Sequence, residues 1–293
     1  MEVNIPQTVF EVLSVFVYCF VLFIIGTPKQ KIFKNTFYSI FISTGFADVL
    51  SIFVNAFLRM QGGLALGQDY QHIASFCVVT SGYTFVVHMI GNLTIAFNRY
   101  SAMCLAKQYD KIWTSRNTWI AIVLQHLIGI AAVANTIGAK MTYGRNPDGS
   151  YSFTGLEKHL DMVNGFVYFG VCLVYGAISA ILNALLLYKF RLLLRSSEIM
   201  KYVHHEKRLF IYTLIVFVFC LLMCAQQIGK FFWINDVMVS IPPYSMLALC
   251  SHLRQDSVNL LLCKWKRGVI LPVPSSKTPI MEAKASVTIR RTN

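Results

Sequence analysis

Residues 73–113 read IASFCVVTSGYTFVVHMIGNLTIAFNRYSAMCLAKQYDKIW, and the fold follows from where this stretch changes character. As far as Asn98 it carries no fixed charge. From Asn98-Arg99-Tyr100 onward it turns basic, ending in Tyr109-Asp110-Lys111-Ile112-Trp113. A helix that spans a bilayer needs about 20 largely apolar residues, in a range of roughly 17 to 25. The stretch therefore reads as a membrane helix with an arginine at its exit and a short charged loop beyond. Such an exit suits a signalling surface better than an enzyme's pocket.

Working outward, apolar runs of similar length recur at 6–26, 36–58, 118–139, 162–187, 209–229 and 237–253. With 73–98 they make seven, and the expected fold is an all-α membrane protein, a seven-transmembrane helix bundle. The chain is 56% hydrophobic and 13% charged, against roughly 45–50% and 25% for soluble domains. Its main solvent is lipid. The last run is short and holds Pro242-Pro243, which a bundle tolerates where neighbouring helices satisfy the freed carbonyls.

Charge fixes the orientation. Lys and Arg number 3 in 27–35, 4 in 99–117, 6 in 188–208 and 8 in 254–293, but only 1, 3 and 1 in 59–72, 140–161 and 230–236. With 21 of the 26 basic residues on one side, that side is cytosolic and the amino terminus is outside. The formal +13 is thus a topological signal, facing anionic lipid heads, and no nucleic-acid partner is implied. Met1 to Ile5 has no basic n-region, so the first run is expected to act as its own insertion signal. Few residues precede it, and any ligand must enter the bundle or its loops.

The eight cysteines carry little. Most sit inside apolar runs as small hydrophobes. Cys77 meets no cysteine in 140–161, so no outer-loop disulfide is expected. Asn92-Leu93-Thr94 lies inside the third run, out of reach of glycosylation. Residues 254–267 place Leu261, Leu262 and Trp265 near one helical face, a short amphipathic helix on the inner leaflet after the last span. Cys263 within it is a candidate for palmitoylation, an unmodified thiol being the alternative. The receptor-sized part is 1–267, and 268–293, rich in Pro, Ser, Thr and Lys, reads as a disordered cytoplasmic tail.

Polar residues inside the spans are the functional candidates. Asp48, midway through the second run, costs at least a few kcal/mol there unless it meets a partner or water. It is the first candidate for an intramembrane switch, together with Asn92, and a structural hydrogen bond to a neighbour such as Asn92 is the alternative. Ser81, Thr84, His88 and Asn92 are spaced 3, 4 and 4 and fall on one stripe that must face the interior. Asn164, Tyr168, Cys172, Tyr175, Ser179 and Asn183 repeat the pattern in the fifth span. With Gln226 and Gln227 near the outer end of the sixth, these stripes suggest a ligand cavity lined by Ser81, Thr84, His88, Tyr168, Cys172 and Tyr175. For each residue alone, hydrogen bonding between helices is the alternative role.

The order of the spans, Phe97-Asn98-Arg99-Tyr100-Ser101-Ala102, the Tyr109 to Trp113 loop and Gly45-Phe46-Ala47-Asp48 resemble the nematode serpentine chemoreceptors, class V of the Srg superfamily most closely. The resemblance covers nearly the whole chain. It implies a rhodopsin-like G-protein-coupled receptor of sensory neurons, multi-pass in the plasma membrane and sited at the sensory cilium. Such a receptor binds an environmental small molecule and activates a heterotrimeric G protein. It also implies a polar cluster around Asp48, with a sodium ion as the only candidate cofactor. Coupling would fall to Asn98, Arg99, Tyr100, Tyr109, Lys111, Trp113, Lys201, Lys207 and Arg208. Asn98 stands where many rhodopsin-like receptors have an acid, so restraint of Arg99 must come from elsewhere. Ala106 replaces a frequent proline, the sixth span has no proline, and Pro242-Pro243-Tyr244 stands in place of Asn-Pro-x-x-Tyr.

Enzyme signatures are absent from the sequence. His204-His205-Glu206 lacks the i, i+4 histidine spacing of a zinc helix, and neither a phosphate loop nor a nucleophile elbow is found. The alternative function is a small membrane transporter or channel, since polar stripes also line permeation paths. No internal repeat supports it. A scaffolding protein would leave the interior stripes without a use.

Overall fold

The computed structural model describes residues 5–27, 35–63, 68–145, 149, 151–195, 211–222, 224 and 233–261. Its helices in chain order are α1 (Ile5–Gly26), α2 (Thr36–Gly63), α3 (Gln71–Cys104), α4 (Tyr109–Ile112), α5 (Ser115–Val133), α6 (Lys158–Arg195), α7 (Ile211–Leu222), α8 (Trp233–Leu249) and α9 (Ser251–Leu261). Among the described residues, five helical stretches are long and apolar enough to cross a membrane, namely Pro6–Gly26, Thr36–Gln61, Gln71–Cys104, Ser115–Thr136 and Lys158–Leu192. α7 and the Val239–Leu249 part of α8 are shorter apolar helices. Of the expected run 209–229, only 211–222 and 224 are described.

α3 is the central helix, packed against α2, α5 and α6, while α1 lies on α2 and α8. Its sequence explains the position. Small or polar residues such as Gly82, Thr84, His88, Gly91 and Asn92 leave it no broad greasy face to offer lipid. A Cβ at Gly91 would lie 2.2 Å from Thr44 Oγ1 and 2.7 Å from Gln125 Nε2, so only glycine lets α2 and α5 approach α3 there. Gln125 Nε2 then bonds Thr44 Oγ1 at 3.0 Å and the Val87 carbonyl at 3.2 Å.

The peripheral helices have the opposite character. α5 exposes Trp119, Val123, Leu127 and Ile130, and α6 exposes Phe166, Leu173, Ile178 and Ile181. Apolar surface on that scale is unstable in water and is the ordinary outside of a bundle in lipid. α5 begins where Thr114, in an extended conformation, accepts a hydrogen bond from the Asn117 backbone N–H. α8 runs through Pro242 and Pro243 without a break.

Among the boundaries that differ from the sequence expectation, three bear on the sites. α2 continues past Leu58 to Gly63, which puts Arg59 on a helix rather than in a loop. α3 continues past Asn98 to Cys104, so Asn98-Arg99-Tyr100 is helical throughout. Backbone groups near the membrane boundary lose more by unpairing than polar side chains cost by staying on the helix. The chain breaks at Cys250, making Leu253 the third residue of α9 and not the end of the seventh span. α9 folds back against α1 and α8.

Between α5 and α6, at the end of the bundle poor in basic residues, lies a two-stranded hairpin that the sequence reading treated as loop. β1 (Met141–Arg145) pairs antiparallel with β2 (Tyr151–Leu156), Thr142 opposite Gly155 and Tyr143 opposite Phe153. Thr154 is the extra residue of a bulge, and Gly155 at φ +127° takes a backbone conformation that side chains resist. β1 touches α3 and β2 touches α2, so the hairpin sits over their ends.

Candidate functional site

Two groups of buried side chains stand out, one at mid-bundle and one at the end of α3. The mid-bundle group centres on Asp48. Its Oδ1 lies 2.6 Å from Nδ1 of His88 on α3, and its Oδ2 accepts a hydrogen bond from the Tyr18 hydroxyl on α1. His88 Nε2 faces Asn92 Nδ2 at 2.9 Å, one turn along α3, and Cys220 Sγ of α7 at 3.7 Å. Asn92 Nδ2 is 3.8 Å from the same sulfur. Asp48 is 1% exposed and His88 2%. Three helices meet on one carboxylate, and a fourth, α7, reaches the imidazole behind it.

These contacts accommodate two proton counts on the imidazole. With a proton on Nδ1 alone, Asn92 donates to Nε2. With both ring nitrogens protonated, the Asn92 amide turns its oxygen toward Nε2 and the pair with Asp48 becomes electrically balanced. Either way the imidazole N–H at Nδ1 is spent on Asp48.

The same faces continue toward the hairpin end. Ser81 Oγ donates to Asn55 Oδ1 at 2.7 Å, Asn55 Nδ2 reaches Ser51 Oγ at 3.3 Å, and Arg59 pairs with Glu11, which is buried on α1. Ser14 and Tyr244 oxygens lie 3.3 Å apart between α1 and α8. Glu11-Ser14-Tyr18, Asp48-Ser51-Asn55-Arg59 and Ser81-Thr84-His88-Asn92 thus form three polar stripes at helical spacing, facing one another. They make a closed column, each member bonded within the bundle or shielded by it.

Residues expected to line a cavity fall in three places. Ser81 and His88 belong to the column, and Thr84 bonds the Ser81 carbonyl at 3.0 Å. Tyr168 lies edge-on to Phe85 at 5.5 Å with its hydroxyl over Gly82. Cys172 and Tyr175 are buried where α6 meets α7, the Tyr175 hydroxyl reaching Cys220 and Ser179. Gln226, Gln227, Lys201, Lys207, Arg208 and Cys263 lie outside the described residues.

At the other end, Arg99 is buried although the residue before it in the sequence is Asn98 and not an acid. Its guanidinium lies 4.2 Å above the centre of the Phe37 ring and donates to Asn98 Oδ1 at 3.2 Å. Phe37 in turn meets Tyr212 of α7 edge-on at 5.9 Å. Asn98 Nδ2 donates to the Tyr109 hydroxyl at 3.2 Å, which donates to Asn35 Oδ1 at 3.0 Å. Trp113 Nε1 donates to Ser101 Oγ at 2.6 Å, and Phe97 stacks with Tyr100 and tilts against Trp113. The loop after α3 is therefore tied to the helix by its own Tyr109 and Trp113. Lys111 is on the exposed side of α4.

The sequence reading missed several of these partners. Tyr18, Arg59 and Phe37 look like ordinary span or loop residues. Gln125-His126, two polar residues side by side in an apolar run, was the legible signal. His126 bonds Ser43 through Nε2 at 2.9 Å and Tyr83 through Nδ1 at 2.6 Å.

A central polar helix, lipid-facing outer helices and a basic exit loop are receptor features, and the comparisons agree. A melatonin receptor type 1C from Xenopus laevis is 26% identical over 154 residues, covering 47% of this chain and 36% of that receptor. The chain thus spans about a third of that relative's length. The family model described as serpentine type 7TM GPCR chemoreceptor Srv matches residues 7–255. This chain belongs to that family: it is a multi-pass membrane protein of the G-protein-coupled receptor class, and not an enzyme.

Proposed function

We propose that the protein is a chemosensory receptor that binds an external small molecule inside a seven-span bundle and activates a heterotrimeric G protein. α7 and α8 would supply the sixth and seventh spans, and α9 would lie on the inner leaflet as the amphipathic helix. The amino terminus would face outward in the plasma membrane of a sensory cilium. Residues 1–267 would form the receptor and 268–293 its cytoplasmic tail.

One observation carries the reading: a single helix, α3, holds both His88 in the four-helix polar centre and Arg99 at the basic exit. A ligand that favours one packing of α3 against α6 and α7 shifts the position of Arg99 without any contact at that end. The cavity would be bounded by Thr84, Tyr168, Cys172, Tyr175, Gln226 and Gln227, with Ser81 and His88 at its edge. The coupling surface would be Asn98, Arg99, Tyr100, Tyr109, Lys111 and Trp113, joined by Lys201, Lys207 and Arg208.

The test is Arg99→Ala in cells that express a G-protein readout. The expected result is normal surface expression with nucleotide exchange lost. Unchanged exchange would remove the assignment.

A further inference from the structure

A buried carboxylate in a bundle needs a compensating partner, and a metal ion is one way to supply it. Hard monovalent and divalent cations are held by several oxygen ligands that replace their hydration shell. The surroundings of Asp48 are of another kind. Oδ1 is taken by the His88 ring N–H at 2.6 Å and Oδ2 by the Tyr18 hydroxyl. Behind the imidazole come the Asn92 amide nitrogen at 2.9 Å and the Cys220 sulfur at 3.7 Å. As bonded, this set spends both carboxylate oxygens on hydrogen-bond donors and puts an amide nitrogen and a thiol behind the imidazole, where a sodium ion would need free oxygens. The sodium ion that the family resemblance allows beside Asp48 does not fit the residues present.

We propose that His88 is the resident counter-group of Asp48, standing where a sodium ion would otherwise bind, and that the bundle is insensitive to sodium for this reason. The imidazole does what an ion does there, and more. It neutralises or hydrogen-bonds the carboxylate on α2, and through Nε2 it also reaches Asn92 and Cys220 on α7. Because the ring is covalently part of α3, it cannot leave when the salt composition outside changes. Removing it leaves Asp48 without its Nδ1 partner beside a space the size of an imidazole, next to the Tyr18 oxygen and, with its amide turned, the Asn92 oxygen. Water and a monovalent cation can enter such a polar space.

The experiment compares thermal unfolding midpoints of the purified full chain in detergent, in sodium chloride and in choline chloride at equal ionic strength. The wild-type midpoint is expected to be the same in both salts. His88→Ser is expected to be less stable overall but to gain about 2–4 °C in sodium over choline, and His88→Ser with Asp48→Asn to lose that gain. His88→Asn serves if the serine variant does not fold. Sodium dependence of the wild type that disappears with Asp48→Asn overturns the proposal. So does the absence of a sodium gain in both histidine variants. Because the readout is stability, failure here leaves the receptor assignment standing, and failure of that assignment leaves this one.

Discussion

Asp48 and Arg99 are both charges for which the neighbouring sequence provides no opposite charge, and the fold resolves them in different ways. Asp48 finds an imidazole 40 positions along the chain and a phenol 30 positions back, so both oxygens are bonded. Arg99 finds the face of Phe37 and the oxygen of its neighbour Asn98. A buried carboxylate that loses its hydrogen-bonded partners costs several kcal/mol. A guanidinium over a ring is worth about 0.5–2 kcal/mol. On these contacts the mid-bundle charge is the fixed point of the two, and the ring contact at the exit is the weaker hold.

The comparison can be broken most directly at its strong side. Asp48→Ala strands the His88 and Tyr18 donors in the interior and is expected to cost about 3–5 kcal/mol, read as a fall in the unfolding midpoint of the purified protein. Little change would mean that the four-helix centre is not the fixed point. Phe37→Leu keeps an apolar but smaller side chain and removes the ring face under Arg99. It is expected to cost about 1–3 kcal/mol in stability and to raise ligand-free nucleotide exchange. A loss as large as that of Asp48→Ala would erase the distinction between the two charges. Trp113→Phe removes the hydrogen bond to Ser101 while keeping the contact with Phe97, for about 0.5–1.5 kcal/mol. Its sharper readout is faster amide exchange in residues 105–113. Tyr109→Phe is the mildest, since the hydroxyl it removes bridges Asn98 and Asn35 close to water. Its effect should be about 1 kcal/mol or less, and exchange protection at Asn98 that does not change would show the bridge to be idle.

Individual elements show how far the sequence could be read. α1, α2, α3, α5 and α6 were legible because a predominantly apolar run of spanning length has few alternatives. The interior stripe of α3 was legible too, since polar groups at spacings of 3 and 4 can only face inward in lipid. The hairpin was not, although Pro147-Asp148-Gly149 is turn chemistry, because its strands are short and do not alternate cleanly. His88 was expected at a cavity and stands on Asp48, because a stripe gives the face of a helix but not the depth at which another helix presents its partner. Phe37 beneath Arg99 left no trace in either segment.

By itself, then, the sequence determined that the chain lives in a membrane, which described helices are long and apolar enough to cross it, and which face of α3 turns inward. It also set which end carries the basic loops. Those follow from hydropathy, periodicity and charge, which are local properties summed along one segment. The tertiary structure alone decided that Asp48 is held by His88 and Tyr18, that Glu11 meets Arg59, and that an aromatic ring restrains Arg99. Each of these depends on the relative height and rotation of two helices. That register is set by close approaches such as Gly91 against Thr44 and Gln125, and no single segment contains it.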